Sequence, residues 1–144
     1  MADLVRLALA KVGDLADVRL VSLEMQQSRS MSELLAGRAA FDLMWSMTTV
    51  QRERSGLRVI RFPIDRGLLG WRLLLVTNAN LKRWRRVASL DDVRQYVAGQ
   101  GHDWPDVQIL KANGLPVVTT HNYDALFRML KVGRFDYLPR SILE

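Results

Sequence analysis

The chain has 144 residues, 49% hydrophobic and 25% charged, a balance that supports a folded core and excludes a disordered segment. It holds no cysteine and 2 histidines, which excludes disulfides, iron–sulfur and zinc–cysteine sites, thiol catalysis and a multi-histidine metal centre. The 21 basic and 15 acidic residues leave a net charge of +6, which favours anionic partners without by itself indicating nucleic acid.

In chain order, Asp3 is placed to cap a first helix carrying Leu4, Leu7, Ala8 and Val12 at helical spacing, with Gly13 as its stop. Residues 18–25 read as a strand. Ser30 with Glu33 forms a capping-box pattern opening a short helix that Gly37 ends. Residues 41–46 are short and apolar, like a buried strand, and residues 48–54 read as a turn or short helix. Strands are expected at 57–62 and 68–76, with Pro63 and Gly67 between them. The stretch 68–76 is the longest apolar run; Gly70 and Arg72 break it, far short of the ~20 residues that span a bilayer.

The second half opens on the basic run Lys82-Arg83-Trp84-Arg85-Arg86. Ser89 with Asp92 caps a helical turn, and residues 96–99 form a weak strand leading into Gly99-Gln100-Gly101. Asp103 is expected to cap a helix that carries Pro105 in its first turn and ends before Gly114. Residues 115–120 form a β-branched strand. Asn122 caps the clearest helix, with Tyr123, Leu126, Phe127 and Leu130 as a core stripe and Gly133 at its end. A last strand is expected at 135–138. Strands alternating with helices predict an α/β fold.

Gly37-Arg38, shortly followed by Phe41-Asp42, is echoed by Gly133-Arg134-Phe135-Asp136. Each glycine ends a helix and each Phe-Asp starts the next expected strand. The echo is either a chance repeat of a common joint or the mark of two lobes built on one plan. A boundary between such lobes falls within 76–82, and a cleft between them suits a small ligand.

Several segments carry a family resemblance. They are Asp3-Leu4-Val5-Arg6-Leu7-Ala8-Leu9-Ala10, Leu34-Leu35-Ala36-Gly37-Arg38 with Phe41-Asp42-Leu43-Met44, and Thr49-Val50-Gln51-Arg52-Glu53-Arg54 with Phe62-Pro63-Ile64. Ser89-Leu90-Asp91-Asp92-Val93, Gly99-Gln100-Gly101 and the stretch 123–136 complete the order. Together they resemble the family 3 extracellular solute-binding proteins, periplasmic receptors of ABC importers. The resemblance implies a type 2 periplasmic-binding-protein fold: two α/β lobes, 1–76 and 77–144, closing on a solute by hinge motion. It implies no catalytic residue, cofactor or metal. The expected ligand is a small polar or anionic solute of amino-acid or organic-acid type, and the expected protein partners are the importer's membrane subunits. Against the family plan, lobe 1 lacks its first strand and lobe 2 its C-terminal return, so the fold is expected to be incomplete. An exposed sheet edge would then favour a dimer. The family's location is the periplasm; taken as complete and without a signal peptide, the chain would stay in the cytoplasm.

By the resemblance, Arg54 aligns with the arginine that grips a ligand carboxylate, a role that suits a planar guanidinium fork. Arg52 is the neighbouring alternative. Ser46, Met47, Thr48 and Thr49 follow an expected strand, where ligands of open α/β sheets bind, although Thr48 or Thr49 could equally cap a helix. Gly101 and His102 precede a helix N-terminus, where backbone N–H groups could meet an anion or simply form a turn. Where many amino-acid receptors carry an aspartate for the ligand ammonium, this chain has Leu138-Pro139-Arg140-Ser141. The alternative function is a nucleic-acid-binding module using Lys82 to Arg86, with Trp84 stacking on a base; the competing view has Trp84 tucked against the protein, and no nucleic acid is expected.

Overall fold

The structure, a computed structural model, describes residues 2–13 and 16–143. The chain ends that bound the two expected lobes, Met1 and Glu144, lie outside the described residues. Seven helices and four strands occur among the described residues. In order they are α1 (Ala2–Lys11), α2 (Gln27–Leu35), α3 (Val50–Glu53), β1 (Arg72–Leu75), α4 (Leu81–Trp84), α5 (Leu90–Val93), β2 (Ala98–Gly101), α6 (Asp106–Ala112), β3 (Val117–Thr120), α7 (Tyr123–Lys131) and β4 (Leu138–Ser141). The chain is therefore a mixed α/β protein.

Helices α3, α5 and α7 start where a side chain satisfies an early N–H group, whereas α2, α4 and α6 have no side-chain cap. Ser30, expected to cap α2, lies inside it and donates to Gln26 O, and Asp103, expected to cap α6, instead accepts from Ser28 N. The Ser89 hydroxyl accepts from Asp92 N at 3.2 Å, and the Asp92 carboxylate accepts from Ser89 N at 2.9 Å and Ala88 N at 3.0 Å, a complete capping box for α5. Those bonds hold the Asp92 carboxyl below its ordinary pKa, the Ala88 amide contributing most. Asn122 Oδ1 accepts from Ala125 N at 2.8 Å and opens α7.

The Gly-Arg echo is real at the helix ends. Arg38 N donates to Glu33 O and Gly37 N to Leu34 O; Arg134 N donates to Met129 O and Gly133 N to Leu130 O. Both are Schellman closures, and both glycines are left-handed (φ 65° and 72°). Beyond them the likeness stops. Phe135 is 3% exposed and leads into β4, whereas the residues around Phe41 form no strand.

The strands expected at 18–25, 41–46 and 57–62 are absent as well. A strand forms only against a partner, and these segments have none, whatever their β-branched content. Leu20, Ile60 and Phe62 accordingly stand exposed. The expected strand at 68–76 is a 3₁₀ turn, Leu68–Gly70, followed by β1. Those expected at 96–99 and 135–138 are displaced toward the C-terminus as β2 and β4, and the one at 115–120 is shortened to β3.

β1 pairs antiparallel with β4, Arg72 opposite Ser141 and Leu75 opposite Leu138. This pairing joins strands from either side of residue 76. β2 pairs parallel with β3, Ala98 opposite Val117. A parallel bridge between Ala98 and Tyr137, with Gly99 N donating to Tyr137 O at 2.8 Å, links the two pairs. The partly buried Arg72–Asp106 ion pair, 2.7 Å, ties β1 to the first turn of α6.

The core lies in the second half: Leu126, Leu130, Phe135 and Leu138, flanked by Val97, Met129 and Trp104. Burying each large apolar side chain contributes roughly 1.5–3 kcal/mol. Glycines at 99 and 101 let rings lie on the β2 backbone. A Cβ at Gly99 would fall 2.1 Å from the Phe135 ring, and one at Gly101 2.5 Å from the Trp104 indole. Tyr137 is 1% exposed and its hydroxyl has no hydrogen-bond partner. Burial first, and then the neighbouring Asp136 charge, push its phenol up to about 12.

Two outcomes follow for stability. Gly99→Ala forces the buried Phe135 ring to shift and should cost at least about 1–3 kcal/mol in urea unfolding. Above pH 10 the unfolded Tyr137 phenol ionises while the folded one does not, so unfolding releases a proton. Stability should therefore fall from pH 10 to about 12 by about 2–3 kcal/mol from this group. Tyr137→Phe should remove that part of the slope and, by deleting an unpaired hydroxyl, leave neutral-pH stability unchanged or higher.

Candidate functional site

Because β2 runs parallel to β3 and bridges in parallel to the residue before β4, the C-terminal ends of all three strands lie together. Open α/β sheets bind ligands at such ends. The residues delivered there are Gly101, His102, Asp103 and Trp104 after β2, His121 and Tyr123 after β3, and Arg140 within β4.

These residues form one polar and aromatic cluster. The His102 and His121 rings stack with centroids 3.7 Å apart. The Arg140 guanidinium lies 5.1 Å from both the Trp104 and Tyr123 rings, and its Nη2 donates to the Tyr123 hydroxyl at 3.1 Å. Cation–π contacts of this kind hold the charge in place without neutralising it.

The N-terminal half docks on this cluster through α2 and the segment before α3. Ser28 N donates to Asp103 Oδ2 at 2.9 Å. Gln26 Nε2 lies 3.2 Å from His121 Nδ1. Arg52 holds the joint. Its Nη1 donates to Ser46 Oγ at 2.8 Å and Met47 O at 2.7 Å; its Nη2 donates to Gln27 Oε1 at 3.0 Å and Asp103 O at 3.3 Å. All four acceptors are neutral, and the guanidinium takes part in no ion pair among the described residues. Burial lowers the Arg52 pKa, and the nearby Asp103 charge partly offsets that.

Of the residues singled out in the sequence, Ser46, Met47 and His102 come together here, linked through Arg52. Arg54 does not: it is exposed, at the C-cap of α3. The guanidinium that reaches the strand ends is that of Arg52, because Thr49 caps α3 by accepting from Arg52 N at 3.1 Å and so turns position 52 inward. The Thr49 hydroxyl thus serves the helix. Thr48 is exposed and donates to Glu53 Oε1 at 3.1 Å. Glu53 also accepts from Arg61 at 2.5 Å, and these bonds, Arg61's first, lower its pKa.

Gly101 is buried inside β2 rather than standing in an open loop, and its lack of a side chain serves the Trp104 ring. His102 N donates to Thr120 O at 3.1 Å, so that amide is already used.

Sequence reasoning did not mark Gln27, Asp103, His121 or Arg140 as site members. Arg140, standing where an aspartate was expected, was the one available signal. A mainly apolar groove of about 970 Å³ adjoins, lined by Trp45 to Thr48, Phe62, Leu74, Ile109 and Pro139.

Trp84 is packed rather than presented, its ring 4.7 Å from Tyr96 and 5.1 Å from Tyr137. A base stacking on Trp84 would have to compete with these rings.

Compared with protein-family models, curated proteins and solved structures, the chain matches none.

Asp103 accepts from both α2 and Arg52. Asp103→Ala should keep the Arg52 bond to the backbone carbonyl but free the Ser28 amide. Hydrogen exchange at Ser28 should speed up by roughly tenfold or more, with the amides of β2 and β3 unchanged.

Proposed function

We propose that the chain is a non-catalytic receptor for a small polar or anionic solute, of amino-acid or organic-acid type. On this reading it follows the type 2 periplasmic-binding-protein plan, works in the periplasm and delivers its ligand to the membrane subunits of an ABC importer. The observation that carries the reading is the Arg52 guanidinium, half-buried at the strand ends with neutral acceptors only.

A half-buried guanidinium whose hydrogen bonds all go to neutral acceptors, with the Asp103 charge near but not bonded to it, can still take an anion. The bond to the Asp103 carbonyl, at 3.3 Å, is the longest of the four. A ligand carboxylate taking the Nη2 and Nε side of the fork would replace it by two charge-assisted bonds. Arg140, held between Trp104 and Tyr123, adds a second cation to the same end of the sheet. That charge sign favours acids over amines. Ligand contact to Arg52 also touches both the segment at 46–47 and the turn at 103, so occupancy would draw the two halves together and shift an open–closed equilibrium.

Calorimetry and thermal-shift titration against amino acids and mono- and dicarboxylic acids test this. An acidic ligand should raise the melting point. Arg52→Lys, which keeps the charge but loses the fork, should weaken binding by about tenfold or more, and Arg54→Ala by less than about twofold. A screen in which no acid binds, or in which Arg54→Ala is the damaging change, would overturn the reading.

A further inference from the structure

We propose that the basic turn at 82–86 is a binding site for a small, multiply charged phosphate anion such as pyrophosphate or triphosphate. Lys82, Arg83 and Arg86, with Tyr96, line an open surface hollow of about 320 Å³. That is within the range of small-ligand sites and far below what a polymer groove requires.

The cations there have no counter-charge. Lys82 and Arg86 are four residues apart around α4 and its final turn, where like charges repel each other. The two acids closest in sequence are committed elsewhere: Asp91 pairs with Arg94, and Asp92 accepts from Ala88 and Ser89 in the α5 cap. Lys82, Arg83 and Arg86 join no ion pair among the described residues. An anion entering the hollow relieves this repulsion and satisfies several donors at once.

The site is also rigid. Trp84 is clamped between Tyr96 and Tyr137, and backbone bonds from Arg85 N to Leu81 O and from Arg86 N to Arg83 O close the turn. The Arg83 guanidinium rests 5.2 Å from the Tyr96 ring centre, so its direction is set before a ligand arrives.

The same packing decides the ligand class. Trp84 and the Arg83 guanidinium already pack against Tyr96, so a nucleobase would have to compete with them for that ring. Recognition is of charge and oxygen geometry, which a compact polyphosphate supplies and a nucleic-acid chain supplies only in part.

Isothermal titration with pyrophosphate and triphosphate at low salt tests the site on the full chain. Saturable binding at one anion per chain, weakening as salt is added, is the expected result. Lys82→Ala with Arg86→Ala should lower affinity at least about tenfold, and Arg86→Gln alone should lower it about threefold or more. Arg58→Ala, at an exposed position away from the turn, should change it by less than about twofold. Absence of saturable binding, or equal affinity in the double variant, overturns the proposal. So does tighter binding of a single-stranded oligonucleotide or of anionic vesicles than of triphosphate, since the turn would then be a polymer or lipid surface.

Discussion

Two aromatic rings lie directly on the backbone of β2, and the rest of the structure is arranged around that contact. Phe135 covers Gly99 and Trp104 covers Gly101, at separations that exclude even a methyl group on either glycine. The first contact brings the chain after α7 back beside β2, where Gly99 and Tyr137 share a hydrogen bond. The second folds the turn after β2 over its own strand and sets the direction of α6. With β3 paired on the other side, three strands end together, and the side chains beyond them become neighbours although up to 38 residues separate them in the chain (Arg140 and His102).

The hydrogen bonds of the Arg52 guanidinium all go to neutral acceptors. Arg52 is bound to a hydroxyl, two carbonyls and an amide, and Arg140 to two rings and a phenol. Neutral acceptors and aromatic faces fix a guanidinium at little cost to its pull on an anion, whereas a carboxylate partner would spend it. Elsewhere the protein does pair its charges, as in Arg72 with Asp106 and Arg61 with Glu53. Arg52 and the cations of the turn at 82–86 form no ion pair among the described residues, and the two proposals above start from that difference. The first 76 residues, by contrast, contribute little core: Ala2 is their one buried apolar residue among those described, and they hold to the rest through the β1–β4 pairing, the Arg72–Asp106 ion pair and the bonds of Gln26, Ser28 and Arg52.

Local signals in the sequence were legible at several helix ends, though the caps read at Ser30 and Asp103 did not form. Asn122, Ser89 with Asp92 and Thr49 are caps because their side chains reach amides two or three residues on, with no help from distant residues. Gly37 and Gly133 end helices because the closing bonds need a left-handed residue. Of the expected stripe Tyr123, Leu126, Phe127 and Leu130, periodicity placed Leu126 and Leu130 correctly in the core, whereas Tyr123 and Phe127 are exposed because the strands cover only one edge of that face. Strands at 18–25, 41–46 and 57–62 were misread because an apolar, β-branched run records the wish for a partner and not its presence.

By itself, then, the sequence determined the mixed α/β class, the caps of α3, α5 and α7, the glycine stops at 37 and 133, the burial of Leu126 and Leu130 and a turn dense in cations. The tertiary structure decided which strands have partners, that Gly99 and Gly101 give room to the Phe135 and Trp104 rings, and that residue 52 rather than 54 faces the strand ends. The physical reason is range. Capping and periodicity act within one or two turns of chain, whereas pairing, ring-on-backbone packing and the direction of a guanidinium depend on groups brought together from 25 to 51 residues away, as Gln27 and Asp103 are to Arg52.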